Sequence, residues 1–482
     1  MLRPWDLVIK LDESSSTPFY LQLVTLIIAE IRAGRLKPQD ALPGTREMAS
    51  KLAINRKTVV LAYDELIAQG WLQTEGRRGT FVASHLPVSL HQAPSQDSSY
   101  PVATVPAMPK VTSPAVERFD VNINDGIPDS RLIPFEIISR AFRHALIYTA
   151  RSSRLGYSNP LGTDELRSAI AHMLNMERGL HVTPEHICVV RGSQMGIFLT
   201  AKVMIQPGDA VVMERLSYQP ARLAFQSCGA EVMTVETDEH GMNIDQLDHI
   251  CSKREIRFVY VTPHHQFPTT VMMSMERRMQ LLTVAAKHGF KILEDDYDHE
   301  FHYFWQPVLP LACRSPESVI YVGSLSKVLA PGLRVGYIVA PKAFIEACAE
   351  HIMIIDRQGN PVTELAAAEL MGNGELKRHI LKTLKIYDQR RKTLAAALHQ
   401  DFGHVFDFSL PSGGLAFWLT LKTPVAMQDF LSRATQHGLH FHRDSLYTHG
   451  NHMLAAIRLG FGSHDDRQLA QLLGKLQSLL TS

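Results

Sequence analysis

From Phe19 to Ala33 apolar residues recur at helical spacing, with Leu23, Leu26, Ile27 and Ile31 on one face and Gly34 at the C′ position. The pattern then shortens. Leu42-Pro43-Gly44-Thr45-Arg46 leads into a short helix through Leu52, Ala53-Ile54-Asn55 turns the chain, and a third helix runs from Arg56 to Gln69. Asn55 suits its N-cap and Gly70 its stop. Trp71-Leu72-Gln73-Thr74 and Thr80-Phe81-Val82-Ala83 read as two strands joined by Glu75-Gly76-Arg77-Arg78-Gly79. Helix, helix-turn-helix and a basic-tipped hairpin together predict a winged helix-turn-helix over residues 1–83.

Further along, the apolar residues form unbroken runs: Ile187-Cys188-Val189-Val190, Ala210-Val211-Val212-Met213, Phe258-Val259-Tyr260-Val261, Phe290-Lys291-Ile292-Leu293 and Val319-Ile320-Tyr321-Val322. Such runs, with a helix such as Met195 to Ile205 between them, predict parallel strands buried on both faces. Leu415–Leu419 and Ala456–Leu459 predict strands of a smaller α+β subdomain, roughly 345–482, closed by a helix from Asp465 to Leu480. Residues 84–117 lack periodicity, and Pro87, Pro94, Pro101, Pro106, Pro109 and Pro114 stand there among Ser, Gln, Ala and Val. They predict a semi-extended linker ahead of an α/β domain over 118–482.

With 482 residues, 45% of them hydrophobic, the chain can bury two or three cores. A net charge of +1 excludes a bulk polyanion binder, so any nucleic-acid contact must be local. No run of eighteen apolar residues exists and Met1–Asp6 is no signal peptide, which predicts a cytoplasmic protein. Cys188, Cys228, Cys251, Cys313 and Cys348 are scattered without a C-x-x-C pair and fit reduced thiols. The histidine groups His437, His440, His442 and His299, His302 lack companion cysteines or an H-E-x-x-H frame, so no metal is expected.

The chemistry concentrates after the strands. Gly323-Ser324-Leu325-Ser326-Lys327-Val328-Leu329-Ala330-Pro331-Gly332-Leu333-Arg334 sets one lysine among hydroxyls and glycines directly beyond a strand. A partly desolvated amine in that position can attack an aldehyde, while nearby hydroxyls and an arginine neutralise a phosphate. Upstream, Glu294-Asp295-Asp296-Tyr297 follows another strand, where an aspartate can keep a pyridine nitrogen protonated. Gly192-Ser193-Gln194 opens a helix whose N–H groups and dipole suit a phosphate. Tyr218 is placed to stack on an aromatic ring.

In order and spacing these motifs resemble the fold-type I, pyridoxal 5'-phosphate-dependent aminotransferases over roughly residues 118–480. The resemblance implies Lys327 as the Schiff-base lysine, Asp295 as the pyridine-nitrogen partner and Tyr297 as the phenolate partner. It implies Tyr218 as the stacking ring and Ser193, Gln194, Ser324, Ser326 and Arg334 as the phosphate cradle. Arg458 would grip a substrate carboxylate in a bidentate fork. Tyr157 would reach the phosphate of a partner subunit's cofactor, and the Gly126-Ile127-Pro128-Asp129 turn would border the substrate. Two departures stand out. Where the family has an N-P-T-G-like turn whose asparagine contacts the cofactor phenolate, this chain reads His264-His265-Gln266-Phe267-Pro268-Thr269-Thr270. It also has Glu214-Arg215-Leu216-Ser217-Tyr218-Gln219 where a Pro-Gly pair normally precedes the tyrosine.

The N-terminal charges suit a duplex reader. Arg46, Lys51, Arg77 and Arg78 are placed for phosphate contacts, and Asn55, Arg56, Lys57 and Thr58 for base edges. The L-P-x-[ST]-R, N-R-x-T-V, A-Y-x-x-L and G-T-F-V-A elements stand in the order of GntR-type DNA-binding domains over residues 17–83. End to end, the chain resembles MocR/GabR-type transcriptional regulators. That implies operator DNA, an amino acid or amine effector and a head-to-tail homodimer as partners. An aminotransferase carrying a DNA-binding module, and a sensor of the cofactor itself, remain open at this point.

Overall fold

The structure is a computed structural model that describes residues 9–87, 121–123, 126–152, 154–303, 308–422, 427–441, 447–448 and 454–481. The chain divides into two compact units, Met1–Pro106 and Ala107–Ser482. From residue 88 onward the expected linker lies outside the described residues.

In the first unit the helices Phe19–Arg32, Thr45–Leu52 and Arg56–Ala68 close over Leu23, Ile27, Met48, Val59, Ala62 and Leu66, the residues that helical spacing puts on one side. The first helix stops one residue short of Ala33, which becomes its C-cap, and Gly34 takes a φ of 72°. Asn55 caps the third helix, its side chain accepting from the Lys57 N–H at 2.9 Å. Leu72–Thr74 and Thr80–Val82 pair antiparallel, Leu72 opposite Val82, around a 3-10 turn at Gly76–Arg78. Each strand is a residue shorter than expected, with Trp71 and Ala83 buried beyond the strand ends and joined by Ala83 N–H to Trp71 O at 2.9 Å.

The second unit is built on a seven-stranded sheet in the order Ile187–Val190, Gly336–Val339, Val319–Ser324, Lys291–Asp296, Ile256–Val261, Ala210–Glu214, Glu231–Val235. Every neighbouring pair is parallel except those made by Gly336–Val339, which runs antiparallel to both its neighbours. Alternation splits the side chains between two cores. Leu293, Tyr260 and Val322 belong to one, with the Gly192–Met204 helix, and Ile292, Val259 and Tyr321 to the other.

Two boundaries differ from expectation. The carboxylates expected beyond a strand lie inside it, because both faces of Lys291–Asp296 are covered and buried tyrosines bond Asp295 and Asp296. The Gly192–Met204 helix begins three residues before Met195, so Ser193 and Gln194 belong to its first turn. After the long helix Glu375–Phe402 come the antiparallel strands Phe406–Asp407, Ala416–Leu421 and Ala456–Gly460, with Trp418 directly opposite Arg458. The last helix starts at Asp466, where Asp465 caps it by accepting from the Gln468 N–H at 2.8 Å. Among the described residues no helix is long and apolar enough to cross a membrane.

Candidate cofactor and effector site

Strand alternation assigns the three clustered acids to different tasks. Asp295 projects to the face covered by the Gly192–Met204 helix, and Glu294 and Asp296 project to the other. The helix packs closely there because Gly196 has no side chain; a Cβ would meet Val322 at 3.1 Å. Asp295 Oδ2 accepts from the Tyr260 hydroxyl at 2.7 Å, and the buried Oδ1 has no hydrogen-bond partner among the described residues. Burial pushes the carboxyl up to about 7, against the pull of the Tyr260 bond. A protonated ring nitrogen is the kind of donor that would satisfy this oxygen and keep the acid ionised.

Lys327 lies on the neighbouring connection. Asp296 pairs with Gly323, so the Lys291–Asp296 and Val319–Ser324 strands end side by side, and Lys327 sits in the turn just past the second. That turn is closed by Leu329 N–H to Leu325 O at 3.0 Å and tied back by Leu325 N–H to Val335 O at 3.0 Å. The half-buried amine lies 4.5 Å over the Tyr297 ring. Buried Ser324 and Ser326 flank it, the Ser326 N–H donating to Ser324 Oγ at 3.2 Å.

The start of the Gly192–Met204 helix meets the same turn. Arg334, at a φ of 54°, donates to Arg191 O at 2.9 Å, and a Cβ on Gly192 would sit 2.7 Å from its guanidinium. A Cβ on Gly336 would strike the Gly192 carbonyl carbon at 2.7 Å and the Ser193 nitrogen at 3.0 Å. Only glycines allow this approach, which brings Arg334 against the first turn of the Gly192–Met204 helix. Gln194 Nε2 donates to Pro220 O at 3.1 Å beside Tyr218, and its buried Oε1 has no partner among the described residues. Orphaned acceptor, lysine and glycine-walled anion cradle together fit pyridoxal 5'-phosphate.

Arg458 is buried on the Ala456–Gly460 strand. Its guanidinium bonds Pro268 O and lies 4.8 Å over the Phe267 ring. Phe267 also contacts Tyr218 at 5.5 Å, Tyr297 at 6.2 Å and Tyr447 at 5.7 Å between ring centres. The Tyr297 hydroxyl donates to His265 O at 3.1 Å. Gly126, at a φ of 82°, lets its loop touch the Leu415 backbone, where a Cβ would come within 3.2 Å.

Several residues of this region were not singled out from sequence. Tyr260 reads as core in an apolar run, and only the fold turns its hydroxyl onto Asp295. His265 Nδ1 and Asp298 Oδ1 form a buried pair at 2.8 Å. On the other face of the sheet, His264, Asp296 and His299 bring potential ligand atoms within 4.8 Å of one another. Asp296 is engaged there by the Tyr321 hydroxyl at 2.6 Å and His299 Nδ1 at 2.8 Å, and faces the Arg178 guanidinium at 3.7 Å. Burial holds His264 down at about 3, hence neutral. Among the described residues, His264 Nδ1 and Asp296 Oδ1 have no hydrogen-bond partner.

Arg46, Asn55, Arg56 and Lys57 are exposed and Thr58 half-buried about the start of the Arg56–Ala68 helix, with Arg56 Nε donating to Thr45 Oγ1 at 3.3 Å. Arg78 pairs with Glu75 at 2.8 Å and lies 5.7 Å over Phe81. The backbone of Arg77 shares that turn, and its side chain lies outside what is described. Tyr157 is 82% exposed, with Arg357 4.9 Å over its ring.

Residues 118–476 match the family described as Aminotransferase class I and II, and residues 19–82 match Bacterial regulatory proteins, gntR family. The chain is 29% identical over 483 residues to the HTH-type pyridoxine biosynthesis transcriptional regulator PdxR of Corynebacterium glutamicum, covering 99% of each. It is 29% identical over 434 residues to the probable rhizopine catabolism regulatory protein MocR of Rhizobium meliloti, covering 88% of this chain and 84% of that one. Among solved structures, an archaeal alanine:glyoxylate aminotransferase superimposes with a TM-score of 0.71 at 27% identity, over 76% of this chain and 91% of that one.

Proposed function

This chain belongs to the class I and II aminotransferase family and carries a gntR-type reader at its N-terminal end, and from that premise we propose that an amino compound bound at Lys327 sets its affinity for operator DNA. The protein is a transcriptional regulator of helix-turn-helix type with a pyridoxal 5'-phosphate aminotransferase-like domain. When bound, the cofactor supplies an electrophilic carbonyl and an electron-withdrawing ring.

In this reading the chain's own residues divide the work. Lys327 would hold the cofactor through its amine, at the position where an effector's amine would compete for it. Asp295 would accept from the protonated ring nitrogen through its Oδ1. Ser193, Gln194, Ser324, Ser326 and Arg334 bind the phosphate, and Tyr218 and Tyr297 border the ring. Arg458 takes an effector carboxylate, with Gly126 on the adjoining loop. Arg46, Arg77 and Arg78 hold DNA phosphates while Asn55, Arg56, Lys57 and Thr58 read bases. The exposed Tyr157 and Ile354, each 82% accessible, fit burial in a head-to-tail homodimer in which Tyr157 completes the partner's phosphate site.

The observation that carries this reading is the buried Asp295 Oδ1, without a hydrogen-bond partner among the described residues, on the strand that pairs with the one leading to Lys327, in a chain that also builds a DNA reader. Operator affinity measured by fluorescence anisotropy with free cofactor, amino acids and amines tests it. A shift with an amino compound supports the reading, and a shift with cofactor alone supports cofactor sensing. No shift with any of them, accompanied by turnover with a keto acid, makes the protein an aminotransferase with a passenger.

A further inference from the structure

The turn that departs most from the family pattern is also tightly built. Gln266 spends its side chain on both sides: Nε2 donates to Leu216 O at 2.6 Å and Glu214 Oε2 at 3.1 Å, and Oε1 accepts from Thr269 Oγ1 at 2.6 Å and Thr269 N–H at 3.1 Å. Its backbone closes the turn through Gln266 N–H to Val271 O at 2.8 Å and Thr270 N–H to Gln266 O at 2.7 Å. Thr270 accepts a φ of 64°, an unusual cost for a branched residue, to complete that closure. Phe267 and Pro268 O are thereby fixed in space, and Phe267 is braced edgewise by Tyr218 and Tyr297.

Phe267 stands where the asparagine of the N-P-T-G-like turn would be, and it offers no hydrogen bond. What it offers is a ring face, and Arg458 lies over that face at 4.8 Å with one N–H group on Pro268 O. A cation–π attraction draws on the charge and on no N–H donor, so it adds to the bonds Arg458 makes with Pro268 O and the Tyr297 hydroxyl and does not compete with them. We infer that Phe267 is a positioning residue that holds Arg458 in the orientation for bidentate capture of a carboxylate, adding cation–π steering to the hydrogen bonds that Arg458 already makes. The inference rests on the reading of Arg458 as the carboxylate site.

Calorimetric titration of the cofactor-loaded full chain with 3-phenylpropanoate and with its neutral amide, 3-phenylpropanamide, separates this role from a merely structural one. Wild type should prefer the carboxylate. Phe267→Leu, which keeps apolar bulk without a ring face, should reduce that preference about tenfold by weakening the carboxylate alone, and Phe267→Tyr should restore it. Phe267→Met reads the same quantity should the leucine variant fail to fold. Equal weakening of both probes, an unchanged preference in the ring-free variants, or no preference in wild type overturns the inference. Neither probe carries an amine, so this outcome is independent of whether amino compounds change operator affinity.

Discussion

Tyr260 and Asp295 meet at 2.7 Å in the interior of the second unit, and among the described residues the other carboxyl oxygen has no hydrogen-bond partner. Without one, the carboxyl bears the cost of burial.

That cost has a sign that can be measured. Asp295 is raised from 3.8 to about 7 by burial, so in the cofactor-free protein the folded state keeps a proton that the unfolded chain releases above about pH 4. The stability this confers is complete below about pH 4 and is lost as pH rises through about 7, at a slope approaching about 1.4 kcal/mol per pH unit. Asp295→Asn should flatten the fall in melting temperature between pH 4 and 7. Glu214, pushed up to about 8, and Glu294, up to about 7, act in the same sense and should leave a residual slope. An unaltered slope in Asp295→Asn would place the proton elsewhere.

Lys327 contributes a half-buried amine and little packing. Lys327→Ala should abolish the visible absorbance of the lysine-bound cofactor and its trapping by borohydride, while the far-ultraviolet spectrum and melting cooperativity stay as in wild type. A reducible covalent linkage surviving in this variant would move the attachment point.

In the reader, Arg56→Ala should weaken binding to the specific operator by about 1–3 kcal/mol and relax discrimination at one base. Arg78→Ala should weaken all sequences alike and lower the salt slope by about 1. The glutamate already paired with Arg78 makes a smaller effect the expected direction of error. Wild-type footprints from both variants would remove the helix and the wing from the interface.

Asn55 caps the helix that carries those residues. Asn55→Ala should cost about 1 kcal/mol of reader stability by leaving the Lys57 N–H without its acceptor, read as a lower denaturant midpoint. No change would mean that water replaces the cap.

Much of this was legible in the residues because it depends on period and punctuation. Apolar runs marked five strands of the central sheet, glycines at 34 and 70 marked helix ends, and Asn55 marked a cap. Lys327, Asp295 and Arg334 were singled out because their motifs stand at or between the ends of apolar runs. What was not legible depends on which face a residue meets. Only the alternation of an assembled sheet assigns Tyr260 to Asp295 and Tyr321 to Asp296, and collects His264 with His299. The role of Phe267 was hidden for the same reason, since its neighbours Tyr218, Tyr297, Tyr447 and Arg458 come from four separate segments.

The central claim is that a ligand in the cofactor pocket is felt by the DNA reader, and linkage demands that such a ligand favour one of two conformations. Operator affinity of the cofactor-loaded protein, titrated across a panel of amino acids in wild type and in Arg458→Ala, tests it most directly. The account predicts a severalfold change in wild type with at least one amino acid, and in Arg458→Ala the same affinity without ligand but no response to it. An operator affinity that no amino acid alters in wild type, or a response that persists undiminished without Arg458, would contradict it.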